Sequence, residues 1–162
     1  MSDPFANIPL VTPLSPEQMK SVGVPDGWAY AMADRVRFHE LDALNHVNNV
    51  AYFRWFESLR IPYFGHVHVS TYSEGDPQVV VASNYAQYMK PLHLGDNYVV
   101  TTRTRSFRAT SFMLEYAVFL DGEMMCSSEC LVVTLEHDGV TKRPLRPETV
   151  AAFLAEGAEG PP

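Results

Sequence analysis

The sequence predicts an α+β domain, in which one long apolar helix is followed by a run of antiparallel strands that wraps it. Two patterns carry this reading. From Val50 onward, Tyr52, Phe56, Leu59 and Tyr63 fall at steps of four, three and four, which is one face of a helix. Phe53 and Trp55 widen that surface until a buried position is expected. After it come strand-like runs separated by turn signals, the order of an α+β fold. The chain of 162 residues with 46% hydrophobic content suffices for one domain with a real core and is short for two.

The elements follow in order. Residues 1–13 hold three prolines and no period, so an arm is expected there. Ser15-Pro16-Glu17-Gln18 combines an N-cap, proline at the first helical position and glutamine at the third; it predicts a short helix from Pro16 to Ser21. Trp28 to His39 reads as the first strand, with Val36 and Phe38 alternating with Arg35 and Arg37. The long helix should end or kink near Pro62, and Gly65 to Pro77 reads as a loop. Strands are expected at Val79 to Met89, Tyr98 to Phe107, Ser111 to Leu120 and Glu123 to Leu135, with a hairpin turn at Asp121-Gly122. A last helix runs from Pro147 to Ala155. The resulting division is an arm with its short helix (1–28), the domain (29–155) and a disordered tail (156–162).

Chemistry is expected between the first strand and the long helix. Glu40 to Asn49 packs two carboxylates, one imidazole and three carboxamides into one polar loop. The helix start offers unpaired N–H groups and partial positive charge, which can polarise a carbonyl or hold an oxyanion. Asn48 or Asn49 can cap it. Asp42 can act as general base on water or attack a carbonyl directly, and His46 can orient that carboxylate, orient water or bond within the loop. Asp, Asn and His are also ordinary loop and cap residues, so spacing alone leaves a purely structural reading open.

Glu40-Leu41-Asp42, then His46-Val47-Asn48-Asn49, Tyr52 and Glu57-Ser58-Leu59-Arg60 together resemble the signature of the hotdog-fold acyl-thioester hydrolases. The resemblance is to the 4-hydroxybenzoyl-CoA thioesterase-like family and the related plant-type acyl-ACP thioesterases, and it extends over roughly Ala29 to Thr141. It implies a hotdog fold, a homodimer or dimer of dimers, and hydrolysis of an acyl-CoA to free acid and CoA. On the matching positions the catalytic carboxylate falls on Asp42, the carbonyl-binding N–H on Asn49 or Val50, and the supporting histidine on His46. Asn48, Val50, Tyr52, Glu57, Arg108 and Arg143 are the implied substrate contacts, with Glu57 the substitute carboxylate. Lys90, Arg103, Arg105, Lys142 and Arg146 are further cations that could meet phosphate. Three departures stand out: Glu40 where Asp is usual, Asn45 where Gly is usual, and Leu44 where the acyl-ACP type has Asn. Asn45 suits a left-handed turn better than most residues.

Composition narrows the partners. A net charge of −7 argues against nucleic acid, and the overall acidity counts mildly against an acidic carrier protein. No apolar run of about 18 residues predicts a membrane span, and the N-terminus has no secretory pattern. Cys126 and Cys130 are too few for a disulfide framework and read as reduced thiols of a cytoplasmic protein. His66 and His68 lack further ligands nearby, so no metal is expected, and no cofactor beyond the coenzyme A of the substrate. Rival readings are an acyl-ACP thioesterase, a non-catalytic acyl-CoA-binding module, and a dehydratase or hydratase, which would want its histidine and carboxylate around an enoyl group.

Overall fold

A computed structural model describes residues 3–162; Met1 and Ser2, the start of the expected arm, lie outside the described residues. The elements are α1 (Pro16–Ser21), β1 (Tyr30–Arg35), a 3-10 turn (Phe38–Glu40), α2 (Asn49–His66), β2 (Gln78–Tyr88), β3 (Asn97–Phe107), β4 (Ser111–Leu120), β5 (Glu123–Leu135) and α3 (Pro147–Ala155). The strands form one five-stranded sheet in the order β1-β3-β4-β5-β2. β1 pairs antiparallel with β3, from Tyr30 opposite Thr102 to Arg35 opposite Asn97. The chain divides into two compact units. Their boundaries fall inside α2 and inside β2 to β5.

The first unit comprises Met1–Leu59, Gln87–Thr102 and Tyr116–Ser127. Leu14, Met19, Val22 and Val24 from the arm and α1 pack on Ala31 and Ala33 of β1 and Val99 of β3. The capping box at Ser15 and Gln18 is present as the sequence predicts. Trp55 of α2 stacks on Tyr98 of β3 at 3.9 Å, and Phe56 stacks on Tyr116 of β4 at 4.8 Å. Asp121 and Gly122 both take positive φ, 50° and 78°, as their hairpin turn requires. Gly23 lies so close to the Gly122 backbone that an added Cβ would meet it at 3.0 Å, so neither position has room for a side chain.

The second unit comprises Arg60–Ala86, Arg103–Glu115 and Ser128–Pro162. Phe64 of α2, Phe112 of β4 and Phe153 of α3 meet ring to ring, with Phe107 of β3 against Phe153. The buried Tyr63 hydroxyl lies 2.9 Å from Thr104 Oγ1 and donates to Glu156 Oε2 at 2.6 Å. Burial pushes the Glu156 carboxyl up from its ordinary value.

Four expectations need correction. β1 ends at Arg35, and the Val36–Phe38 alternation belongs to a bend: Val36 exchanges backbone hydrogen bonds with Gly95 and Asp96, and Phe38 is 79% exposed in the 3-10 turn. α2 continues through Pro62 to His66, because Tyr63, Phe64 and Val67 beyond it are buried. The same helix keeps an open face, with Arg54, Glu57 and Ser58 exposed. The tail after Ala155 is not loose: the Glu159 N–H donates to the Arg105 carbonyl, the Phe107 N–H donates to the Glu159 carbonyl, and Ala158 is buried.

Within the second unit, Asp76 ties the segment after α2 to α3. Its carboxyl accepts from the Arg146 guanidinium at 2.5 Å and from the Thr71 N–H at 2.7 Å. The Arg146 bond, ahead of the Thr71 N–H, holds this carboxyl well below its ordinary 3.8. A carboxyl depressed on folding stabilises above its unfolded pKa and loses that contribution as pH falls towards the folded one. Melting temperature followed from pH 7 downward should therefore drop below about pH 4 in the wild type. In Asp76→Asn it should start lower at neutral pH and fall less on acidification.

Candidate active site

The loop before α2 closes on itself in three steps. The Asn48 N–H donates to the Glu40 carbonyl (2.8 Å), Leu41 bridges Val47, and the Asp42 N–H donates to the His46 carbonyl (2.8 Å). At its tip Asn45 takes φ 59°, the left-handed conformation that its place in the motif requires. The Val47 N–H donates to the Leu92 carbonyl at 2.9 Å and anchors the loop to the segment after β2.

Glu40 is buried, and both carboxylate oxygens are used: Oε1 accepts from the Trp55 indole (2.8 Å) and Oε2 from the Arg37 N–H (2.8 Å). This carboxylate is a structural clamp between the 3-10 turn and α2. Asn48 caps the helix, its side chain accepting from the Ala51 N–H at 2.9 Å. The N–H groups of Asn49 and Val50 remain as first-turn donors with no acceptor inside the helix.

Asp42 is exposed, and its Oδ1 accepts from the Leu44 N–H (2.8 Å) and the His46 N–H (3.2 Å). Two backbone donors on one oxygen orient the carboxylate and leave its second oxygen without a hydrogen bond. Asp42, His46, Asn49 and Tyr52 line one open pocket of about 360 Å³. Its remaining wall is Val47, Tyr88, Met89, Lys90 and Pro91. The His46 ring stands edge-on to His93 at 5.2 Å. Tyr52 is buried between Tyr88 (5.1 Å) and Trp55 (4.9 Å). Burial raises the Tyr52 and Tyr88 hydroxyls and pushes the Cys126 thiol up to about 12, so all three stay protonated and neutral at ordinary pH.

The structure thus brings Asp42, His46, Asn49 and Tyr52 together. Asn48 and Val50 flank the pocket in sequence without lining it, and Glu57 lies exposed on α2, also outside its wall. Arg108 and Arg143 belong to the second unit. There Arg108 borders a separate hollow of about 360 Å³ with Ser106, Ser111 and Phe112, while Arg143 faces Glu136 at 3.7 Å. Of the other expected phosphate contacts, Arg103 and Arg105 pair with Glu115, Arg146 with Asp76 and Lys90 with Glu123. Among the described residues, no group of three or more His, Cys, Asp or Glu is placed to hold a metal ion. Sequence reasoning missed Tyr88, Met89 and Pro91 as wall residues. The sequence marks this segment only as the end of the strand expected at Val79 to Met89, which names an element and not a role.

The model of the thioesterase-like superfamily matches residues 36–154, which includes the loop, α2 and all four later strands. The chain belongs to that superfamily. It is a hotdog-fold thioester hydrolase of the α+β class. A thioesterase-superfamily structure from Jannaschia sp. CCS1 superposes with TM-score 0.90 at 37% identity, covering 94% of this chain and 99% of that one. A thioesterase from Thermus thermophilus, solved with coenzyme A and Zn, superposes with TM-score 0.71 at 31% identity, covering 82% and 96%. The uncharacterized protein YsmA of Bacillus subtilis (strain 168) is 28% identical over 104 residues, 64% of this chain and 70% of that protein.

The Glu40 clamp makes a testable demand. Trp55→Phe keeps the ring stack but leaves Glu40 Oε1 buried without its donor, which costs about 2–3 kcal/mol. Urea unfolding should register that loss as a lower midpoint at unchanged slope.

Proposed function

We propose that this protein hydrolyses an acyl-CoA thioester to the free acid and CoA. The observation that supports this most is the sharing of one pocket by an oriented Asp42, by His46 and by Asn49 at the start of α2. The thioester carbonyl oxygen rests on the first-turn amides of α2, where the helix dipole and free N–H groups favour developing negative charge. Asp42 then either removes a proton from an attacking water or adds to the carbonyl carbon itself. In the first route the tetrahedral intermediate expels CoA thiolate, which takes up the proton. In the second the tetrahedral adduct expels CoA thiolate to leave an acyl–Asp42 anhydride, and water cleaves that to the free acid and Asp42, the released proton going to the thiolate. His46 supports the loop and the incoming water. Tyr52, Tyr88, Met89 and Pro91 supply an apolar wall for the acyl group.

Coenzyme A as carrier is supported by the Thermus relative solved with that molecule. Of the two arginines that the resemblance implies for phosphate, Arg143 already faces Glu136, whereas no carboxylate pairs with Arg108 among the described residues. Two buried, unpaired thiols accord with the reducing cytoplasm.

We further propose a homodimer built on β2. The β1 edge is covered: the Val11 N–H donates to the Ala33 carbonyl, the Leu14 N–H to the Ala31 carbonyl, and Leu10 and Pro13 bridge β1. β2 at the other edge is exposed along almost its whole length, with Val80, Val81, Tyr85 and Tyr88 open to solvent. A long apolar edge strand left bare invites strand pairing with another copy.

Release of free thiol from a panel of acyl-CoAs tests the activity. Asp42→Asn should lower kcat by at least about a hundredfold. Inertness of the wild type to every acyl-CoA would favour acyl-ACP or a binding module, and full activity in Asp42→Asn would remove this carboxylate from the chemistry. For the assembly, lysines at Val81 and Tyr85 should convert a sedimenting dimer to monomer with helix and strand content retained. A wild-type monomer would refute the pairing.

A further inference from the structure

A second hollow of about 260 Å³ lies within the first unit, and it shares no lining residue with the active-site pocket. Met32, Ala33 and Val100 give it an apolar side, and the stacked Trp55 and Tyr98 rings give it another. Val11 of the arm also lines it. The φ of Val11 is 53°, a left-handed conformation that a β-branched residue rarely adopts. Its N–H, donating to the Ala33 carbonyl at 2.8 Å, holds it there. Backbone strain of this kind persists only where the surroundings enforce it, and such places cluster at ligand sites.

The polar groups around the hollow engage one another, with one exception. Asp34 and Arg37 form a two-pronged pair at 2.8 and 2.9 Å. The Glu40 carboxylate accepts from the Trp55 indole and the Arg37 N–H. The Ser58 hydroxyl donates to the Arg54 carbonyl at 2.9 Å. The Arg54 guanidinium remains: Arg54 is exposed on α2 and has no ion pair among the described residues. A guanidinium presents parallel N–H groups that match the two oxygens of a carboxylate.

Charge and size select the guest. A cation would be repelled by Arg54, and a phosphate dianion would sit beside the carboxylates of Asp34 and Glu40. A neutral apolar guest would cover the guanidinium without giving it a partner. A singly charged anion with an apolar body meets both demands. The volume falls below the roughly 300–1,000 Å³ of sites for drug-sized ligands, so the guest is small. We propose that this hollow is a binding site for a small apolar carboxylic acid, with its carboxylate on Arg54 and its body against Val11, Met32 and Val100. The site goes beyond the hydrolase reading and does not need it.

Hexanoate and benzoate are the probes, titrated into the full chain by calorimetry. The indole N–H resonance of Trp55 reports on the hollow, with Trp28, which does not line it, as internal reference. Each acid should bind once per chain with a Kd on the order of 0.1–1 mM and shift the Trp55 signal. The methyl esters should bind at least about tenfold more weakly. Arg54→Gln should weaken both acids by a similar factor, and Arg54→Lys should recover part of the affinity. Because Trp55 also touches Tyr52 of the active-site pocket at 4.9 Å, Asp42→Asn separates the two places. An acid in the hollow binds this variant as it binds the wild type, whereas an acid beside residue 42 binds more tightly once the like charge is gone. Tightening in Asp42→Asn, equal binding of acid and ester, undiminished binding by Arg54→Gln, or no binding up to about 20 mM would each overturn the site. None of these outcomes depends on cleavage of an acyl-CoA, so failure of the hydrolase reading leaves them untouched.

Discussion

The Glu40 carboxylate, shut away from water between the Trp55 indole and the Arg37 N–H, is the constraint on which the site depends. Its own carbonyl receives the Asn48 N–H, so the same residue sets where the helix cap sits. An ionised group left buried with one partner missing is expensive, which makes this arrangement all-or-none. The strand end, the turn and the first turn of α2 are therefore placed together. Asp42, two residues on, inherits a fixed position without being buried itself, and can keep an oxygen free for a substrate.

The site combines this rigidity with electrical neutrality on its far wall. Tyr52 and Tyr88 both retain their protons because burial disfavours the charged forms. Apart from Lys90, whose ammonium is engaged by Glu123, that wall carries no charge, and Asp42 is the carboxylate that lines the pocket. This polarity suits attack on a carbonyl whose oxygen is drawn towards backbone N–H groups.

Much of this was readable in the residues. The Tyr52–Phe56–Leu59–Tyr63 face is buried as its spacing requires, and the ranges of α1, β4, β5 and α3 follow their caps and turns. Asn45 was marked by the motif as the left-handed position. The failures have physical causes. Pro62 costs an interior helix about 3 kcal/mol, yet burying Tyr63, Phe64 and Val67 beyond it returns more than that. Phe38 imitates a strand residue but sits in a turn dictated by the Glu40 clamp. The Gly/Pro composition of the tail hides a backbone pairing at Glu159 that no side-chain pattern encodes. Tyr88 lies far along the chain from Asn49, and local patterning says nothing about such a meeting.

The proline-rich arm laid along β1 has a consequence beyond packing. Its bridges at Leu10 and Pro13 occupy the groups through which the sheet could otherwise extend on that side. A sheet with a single open flank can join one twin about a two-fold axis and then has nothing left to offer. Were both flanks bare, the same attraction would propagate without limit into fibres. The arm thereby leaves β2 as the flank through which the sheet could be extended.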